Sequence, residues 1–172
     1  MSAERTHDDL TESVDSTVCR KCGATFDVSI LPKLSPVDCP FCGARQTVPA
    51  RLGSFLLTDV LGRGGSANVY RARDEVMDRT VAVKVLRADW AGQSAMAALK
   101  TEAQAAARLN HPNIVQIYAV ETAGPQPYIV MELVDGGRLD QRMAKDGPMN
   151  EAALLRVARD VVEGLRPRTE RG

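Results

Sequence analysis

Residues 61–69 read Leu61-Gly62-Arg63-Gly64-Gly65-Ser66-Ala67-Asn68-Val69, which fits the pattern G-x-G-x-x-[GA]-x-V. The residues after the glycines decide how the loop is read. A dinucleotide-binding turn would open a helix and a P-loop would continue into Gly-Lys-Ser/Thr, whereas Val69-Tyr70-Arg71-Ala72-Arg73 alternates as a strand does. A glycine loop between two antiparallel strands suggests a flap whose backbone amides approach phosphate closely because few side chains intervene. The competing reading is a plain hairpin turn, for which Gly62, Gly64 and Gly65 together are excessive.

On either side of this loop, alternating apolar runs predict strands over 55–61, 69–73 and 80–86, joined by links short enough for an antiparallel meander. In the third strand Val81, Val83 and Val85 point one way and Ala82, Lys84 and Leu86 the other, so Lys84 is its one interior charge and must snorkel or find an anion. An Ala-rich helix is predicted over 94–109, ended by Asn110, His111 and Pro112. Glu102 lies on its apolar flank with no Lys or Arg three or four residues away. Taken singly, Lys84 and Glu102 read as surface residues; taken together behind a glycine loop, they read as partners that hold the lysine toward a phosphate. Two further strands are predicted over 114–120 and 128–134, flanking a turn with Gly124, Pro125 and Pro127. Asp135-Gly136-Gly137 opens a short helical stretch, and Asn150 is placed to cap a last helix over 151–165. No internal repeat is visible.

All four cysteines lie upstream, as Cys19-x-x-Cys22 and Cys39-x-x-Cys42, with sixteen residues between the pairs. Two such turns suit a four-thiolate zinc site, because each can aim two sulfurs at one tetrahedral ion. Gly23 and Gly43 come directly after the second cysteine of each pair, where a positive φ helps the chain curl its amides toward sulfur. Paired disulfides and a thioredoxin-like redox turn are the alternatives; the first suits an oxidising compartment and the second needs a βαβ context. A site closed by four thiolates leaves no open position for hydrolysis, so the expected zinc is structural. Its segment, punctuated by Pro32, Pro36, Pro40 and Pro49, is too small for an apolar core of its own. It is expected to unfold alone when the metal is removed.

Composition limits the rest. In 172 residues, 22 Lys plus Arg balance 22 Asp plus Glu, which argues against electrostatic capture of nucleic acid or of a membrane surface. Arg20, Lys21, Lys33 and Arg45 could touch nucleic acid, but Asp27 and Asp38 dilute them. Aromatic residues are 4%, too few for a base-stacking platform, and no apolar run is long enough to span a bilayer. The polar, acidic start is neither a secretory signal nor a transit peptide, so the expected location is cytoplasmic.

Five motifs in order, 62–69, Val81-Ala82-Val83-Lys84, Glu102, His111-Pro112-Asn113-Ile114-Val115 and Tyr128-Ile129-Val130-Met131-Glu132-Leu133-Val134-Asp135-Gly136-Gly137, closely resemble the amino-terminal lobe of bacterial eukaryotic-like Ser/Thr protein kinases. The resemblance implies ATP as ligand, with Gly62, Gly64, Gly65, Ser66 and Ala67 as the phosphate flap and Lys84 on the α and β phosphates. It implies Glu102 as the partner of Lys84, on the family's αC helix (94–109). Leu61, Val69 and Ala82 would sandwich adenine, Met131 would be the gatekeeper, and Glu132 to Val134 the hinge whose backbone bonds the adenine edge. Ala67 stands where the family has a third glycine. His111 is implied to be a structural linker; His7 and Trp90 are given no role.

The resemblance runs from Phe55 to about Leu165 and covers less than half of a kinase domain. Neither H-R-D-x-x-x-x-N nor D-F-G occurs in the 172 residues; Arg159-Asp160 comes after Ala158 inside a predicted helix that resembles the family's αE (150–165). Arg166-Pro167-Arg168-Thr169-Glu170-Arg171-Gly172 reads as a polar end. The expectation is an α+β chain: a disordered acidic arm over 1–17, a zinc ribbon over 18–50, a partial protein kinase domain over 53–165 and a polar tail over 166–172. The kinase part would hold a five-stranded antiparallel sheet, the αC helix and the first helices of a truncated carboxy-terminal lobe. Such a truncated, frameshifted or cut kinase would bind ATP weakly, have an incomplete magnesium site and transfer no phosphate alone. The alternative is a non-catalytic zinc-ribbon or pseudokinase interaction protein, with a protein partner at the αC or αE surface.

Overall fold

The computed structural model describes residues 11–86, 101, 111–123 and 126–166. The helix predicted over 94–109, Glu102 included, lies outside the described residues apart from Thr101, which is helical. His7, Trp90 and residues 167–172 also lie outside them.

The strands are β1 (Glu12–Ser13), β2 (Ser16–Val18), β3 (Thr25–Asp27), β4 (Pro36–Asp38), β5 (Arg45–Thr47), β6 (Ala50–Leu52), β7 (Phe55–Arg63), β8 (Ala67–Asp74), β9 (Arg79–Leu86), β10 (Ile117–Ala123) and β11 (Gln126–Met131). Two helices, here α1 (Leu139–Asp146) and α2 (Glu151–Leu165), complete the described chain. One antiparallel sheet runs β1-β6-β7-β8-β9-β11-β10, and β2-β3 and β4-β5 form separate hairpins. The sheet therefore has seven strands where five were expected: β6 pairs with β7, and β1 pairs with β6. Residues 11–17, expected within a disordered arm, instead carry β1 and the start of β2. Their acidic composition does not prevent this, because a two-residue edge strand needs only backbone pairing.

Alternation builds the core from one face of the sheet. Leu52, Phe55, Leu57, Tyr70, Ala72, Val81, Val83, Val85, Tyr128 and Val130 form a single buried cluster. Phe55 meets Tyr128 edge-on, with ring centroids 6.0 Å apart, and the buried Tyr128 hydroxyl donates to Glu121. At the β8–β9 turn the buried Asp74 carboxylate accepts from the Val76 and Met77 amides and from Arg79 Nε, so its burial is compensated.

Two predicted strands shift. The run from Ile114 does not start a strand, because Pro112 lacks an amide and the Ile114 amide turns back to the His111 carbonyl, 3.0 Å; β10 begins at Ile117. His111 Nδ1 accepts from the Asn113 amide at 3.1 Å. At the other end β11 stops at Met131 rather than Val134, and the Glu132 amide bonds to the Gln116 carbonyl at 2.9 Å as the chain leaves the sheet.

Contrary to the expectation of no repeat, the cysteine segment contains one. Cys19-x-x-Cys22-Gly23-Ala24 recurs twenty residues on as Cys39-x-x-Cys42-Gly43-Ala44. The bonds recur with it: Cys19 N–H to Ala24 O (2.8 Å) matches Cys39 N–H to Ala44 O (2.9 Å), and Gly23 N–H to Cys19 O (2.8 Å) matches Gly43 N–H to Cys39 O (2.9 Å). Gly23 and Gly43 adopt φ of +75° and +67°, the left-handed turn their position predicts. Val28 and Val48, also equivalent, are buried, and Leu34 between the hairpins packs against the large core.

Asn150 caps α2 by accepting from the Ala153 amide at 2.9 Å. The helix touches the 111–116 loop, where Asn113 Nδ2 donates to the Asp160 carbonyl at 2.8 Å. No residue of α1 or α2 is buried, and Leu155, Val162 and Leu165 stand exposed.

Candidate functional site

The glycine loop is the turn between β7 and β8. Gly62 is paired with Val69 and Arg63 with Asn68, and the Gly64 amide donates to the Ala67 carbonyl at 2.9 Å. None of Gly62, Gly64 and Gly65 has a positive φ, so backbone handedness does not explain them. Space explains Gly64, where a Cβ would lie 3.1 Å from the Ala67 carbonyl oxygen. At Gly62 and Gly65 a Cβ would meet no protein atom within 4 Å, so packing within the described residues demands glycine at neither.

Directly paired residues of antiparallel strands lie on one face. Val69 pairs with Lys84 and Lys84 with Ile129; Arg71 pairs with Ala82 and Ala82 with Met131. Val69, Ala82, Lys84 and Met131 thus share the face opposite the Tyr70–Val83–Val130 core. Lys84 is half-buried between its two apolar neighbours. Leu61, 46% exposed, sits at the irregularity between Val60 and Gly62. Ser66 lies in the turn and Ala67, which opens β8, is buried. After β11, the Glu132 side chain accepts from the Gln116 amide at 3.2 Å, and Val134 is exposed. The expected pairing of Lys84 with Glu102 falls outside the described residues.

The four cysteines come together at the tips of the two hairpins. All four sulfurs lie within 4.8 Å of one another, with Cys19 Sγ to Cys42 Sγ at 3.6 Å and Cys22 Sγ to Cys39 Sγ at 3.8 Å. None is joined in a disulfide. A tetrahedral ion with Zn–S bonds of about 2.3 Å separates its sulfurs by about 3.8 Å, so the donor set fits zinc in distance as well as in type. The electrostatics agree. Hydrogen bonds from the Cys22 and Lys21 amides hold the Cys19 thiol down at about 6. At Cys42 the Ala44 amide acts in the same direction, but burial and the neighbouring sulfurs overcome it and push the thiol up to about 12. Four thiolates this close repel one another, and a dication removes that penalty.

One constellation has no counterpart among the sequence motifs. Arg20, inside the first cysteine turn, forms a two-nitrogen fork on Asp59 of β7, with both bonds 2.7 Å. Asp59 pairs across the sheet with Arg71, whose Nη2 lies 3.2 Å from Asp135 beyond the end of β11. Burial pushes the Asp59 carboxyl up, but Arg20, helped by Thr58 and Arg71, brings it below its usual value. Positions 20, 59, 71 and 135 have no local periodicity that could have joined them.

A meander that sets a lysine of its third long strand on the face served by a glycine hairpin is the architecture of a kinase-like amino-terminal lobe. The chain belongs to the protein kinase domain family, which matches residues 55–167. It is 45% identical over 126 residues to the serine/threonine-protein kinase PknB of Mycobacterium leprae (strain TN), covering 70% of this chain and 20% of that protein. It is 39% identical over 114 residues to PrkC of Bacillus subtilis (strain 168), covering 66% of this chain and 18% of that one. The chain thus spans about a fifth of the length of these relatives. Among solved structures, the Mycobacterium tuberculosis PknI kinase domain matches with a TM-score of 0.58 at 26% identity, over 66% of this chain and 47% of that one. Rad53 1-466 in complex with AMP-PNP matches with a TM-score of 0.55 at 30% identity, over 64% and 29%.

Proposed function

We propose that residues 53–165 form part of a serine/threonine protein kinase domain, its ATP-binding lobe and the first helices of its carboxy-terminal lobe, preceded by a module held by one structural zinc on Cys19, Cys22, Cys39 and Cys42. The observation that carries the kinase reading is the shared face of Val69, Ala82, Lys84 and Met131 behind a glycine turn in which packing among the described residues explains only Gly64. Smoothness at Gly62 and Gly65 is what close approach of a phosphate requires. In this reading Lys84 neutralises the α and β phosphates, and Glu102 orients it. Leu61, Val69 and Ala82 enclose the adenine, with Met131 at its back. Among the described residues no hydrogen bond uses the Glu132 carbonyl or the Val134 amide, which leaves both for the adenine edge. The assembled kinase would transfer the ATP γ-phosphate to Ser or Thr of a protein substrate. The catalytic Asp and the principal magnesium ligand of that reaction are not supplied by these 172 residues.

No helix among the described residues is long and apolar enough to cross a membrane. A reducing cytoplasmic setting accords with four free thiols. The second reading, a non-catalytic interaction protein, draws support from the exposed Leu155, Val162 and Leu165 of α2.

Calorimetric titration with ATP, with and without magnesium, tests the lobe. Expected are affinity at the weak end of the ~1 μM to 1 mM range common for enzyme substrates, little magnesium dependence, and about tenfold weaker binding in Lys84→Ala, as loss of one charge-assisted hydrogen bond implies. Radiolabelled ATP with a basic protein substrate should yield no incorporation by the chain alone. Absence of any ATP binding would favour the interaction protein, and Lys84-dependent incorporation would mean that this chain carries catalytic groups beyond those named.

A further inference from the structure

We infer that the metal-held cysteine turn is docked onto the kinase lobe by the Arg20–Asp59 pair, so that metal binding and the order of β7 are thermodynamically coupled. The inference rests on the proposed zinc site and is independent of nucleotide binding.

Arg20 stands between Cys19 and Cys22, so the turn that aims two sulfurs at the ion also sets the direction of this side chain. Its amide faces Gln46 Oε1 at 3.4 Å, tying the first turn to the second hairpin. Its guanidinium presents Nη1 and Nη2 to the two oxygens of one carboxylate, the planar fork that a lysine cannot reproduce. On the sheet side, Asp59 is aimed by an irregularity in the β7–β8 ladder between Leu57 and Asp59, and Thr58 Oγ1 donates to it at 3.2 Å. Arg71 opposite Asp59 carries the row of alternating charges on to Asp135.

Beside the ion pair the seam is partly open. A cavity of about 400 Å³ lies between Val18, Gln46 and Pro49 of the module and Leu56, Thr58 and Arg73 of the sheet. Leu34 supplies apolar contact between the module and the core, and the ion pair adds the directional tie. Without the metal the cysteine turn keeps only its hairpin bonds, and Asp59 of β7 loses the fixed position of its Arg20 partner. Metal loss should therefore loosen the lobe's first long strand, contrary to the expectation that the module unfolds alone. By reciprocity, loosening the pair should weaken the metal.

The side chains of Arg20 and Asp59 are 54% and 28% exposed, so solvent screens the pair and the coupling is modest. On the full chain, competition for Zn²⁺ with a chromophoric chelator should show Arg20→Ala and Asp59→Asn each binding about three- to tenfold more weakly, the range a well-formed fork supports. The double variant should be no worse than either single one. Arg20→Lys, which keeps the charge beside the sulfurs and loses the fork, should still be weakened. Hydrogen exchange of the β7 amides should rise on chelation in the wild type and rise less in Asp59→Asn. A wild type that binds no zinc overturns the metal site and this inference with it. Zinc binding with additive single effects, or with β7 exchange unmoved by chelation, overturns the docking alone.

Discussion

Stripping zinc from the reduced protein is expected to expose all four thiols to alkylation and to abolish the structure of residues 16–47. The magnitude depends on what else holds that segment. Its buried apolar side chains are Val28, Cys19 and Cys39, and its hairpins have three-residue strands. Such pieces are marginal alone, whereas a structural zinc contributes about 10–16 kcal/mol of apparent folding energy at neutral pH. Cys22 is the informative reporter because it is exposed, so burial cannot shield it and slow alkylation must come from the metal. Mass spectrometry of alkylated protein before and after chelation, with metal analysis of the same sample, reads both. Protein purified under reducing conditions with no zinc, or with Cys22 alkylated at the rate of a free thiol, would falsify the site. Cys39→Ser should lower zinc affinity by orders of magnitude, since a hydroxyl is a far poorer ligand than a thiolate for this ion.

Leu57→Ala is expected to destabilise the lobe by about 2–5 kcal/mol, a large part of the roughly 5–15 kcal/mol that such domains possess. Leu57 is 0% exposed and stands between Ala50 of β6 and Ala72 of β8, both also fully buried. Two alanines flank it, so the leucine fills space that its neighbours leave. Strand pairing on both sides keeps the backbone from collapsing into the resulting cavity. Denaturant titration should show a lower midpoint at unchanged slope. Leu61→Ala is the matched control: the same atoms are removed from a side chain 46% exposed at the edge of the glycine turn, with a cost under about 1 kcal/mol. Equal losses in the two variants would mean that Leu57 is not the packing centre its position implies.

Both results test features whose origin lies at different levels. The glycine turn, the position of Lys84 and the two cysteine turns were legible in the sequence because each depends on a local period or spacing. Period two sends Lys84 and Val83 to opposite faces, and two residues between cysteines make a turn that presents both sulfurs. The cysteine repeat is equally local in Cys-x-x-Cys-Gly-Ala, whereas its equivalent hydrogen bonds show only in the fold.

What tertiary structure alone decided is where these local pieces meet. The addition of β6 and β1 to the sheet could not be read from Ala50-Arg51-Leu52 or Glu12-Ser13, since edge pairing uses backbone groups that every residue carries. The end of β11 at Met131 was hidden within a continuous apolar run, because only the bond from the Glu132 amide to the Gln116 carbonyl shows the chain leaving the ladder. The tie between Arg20 and Asp59 is the clearest case. Thirty-nine residues separate them, and a charge pair leaves no periodic trace in sequence, because its strength depends on distance and desolvation that only the folded chain sets.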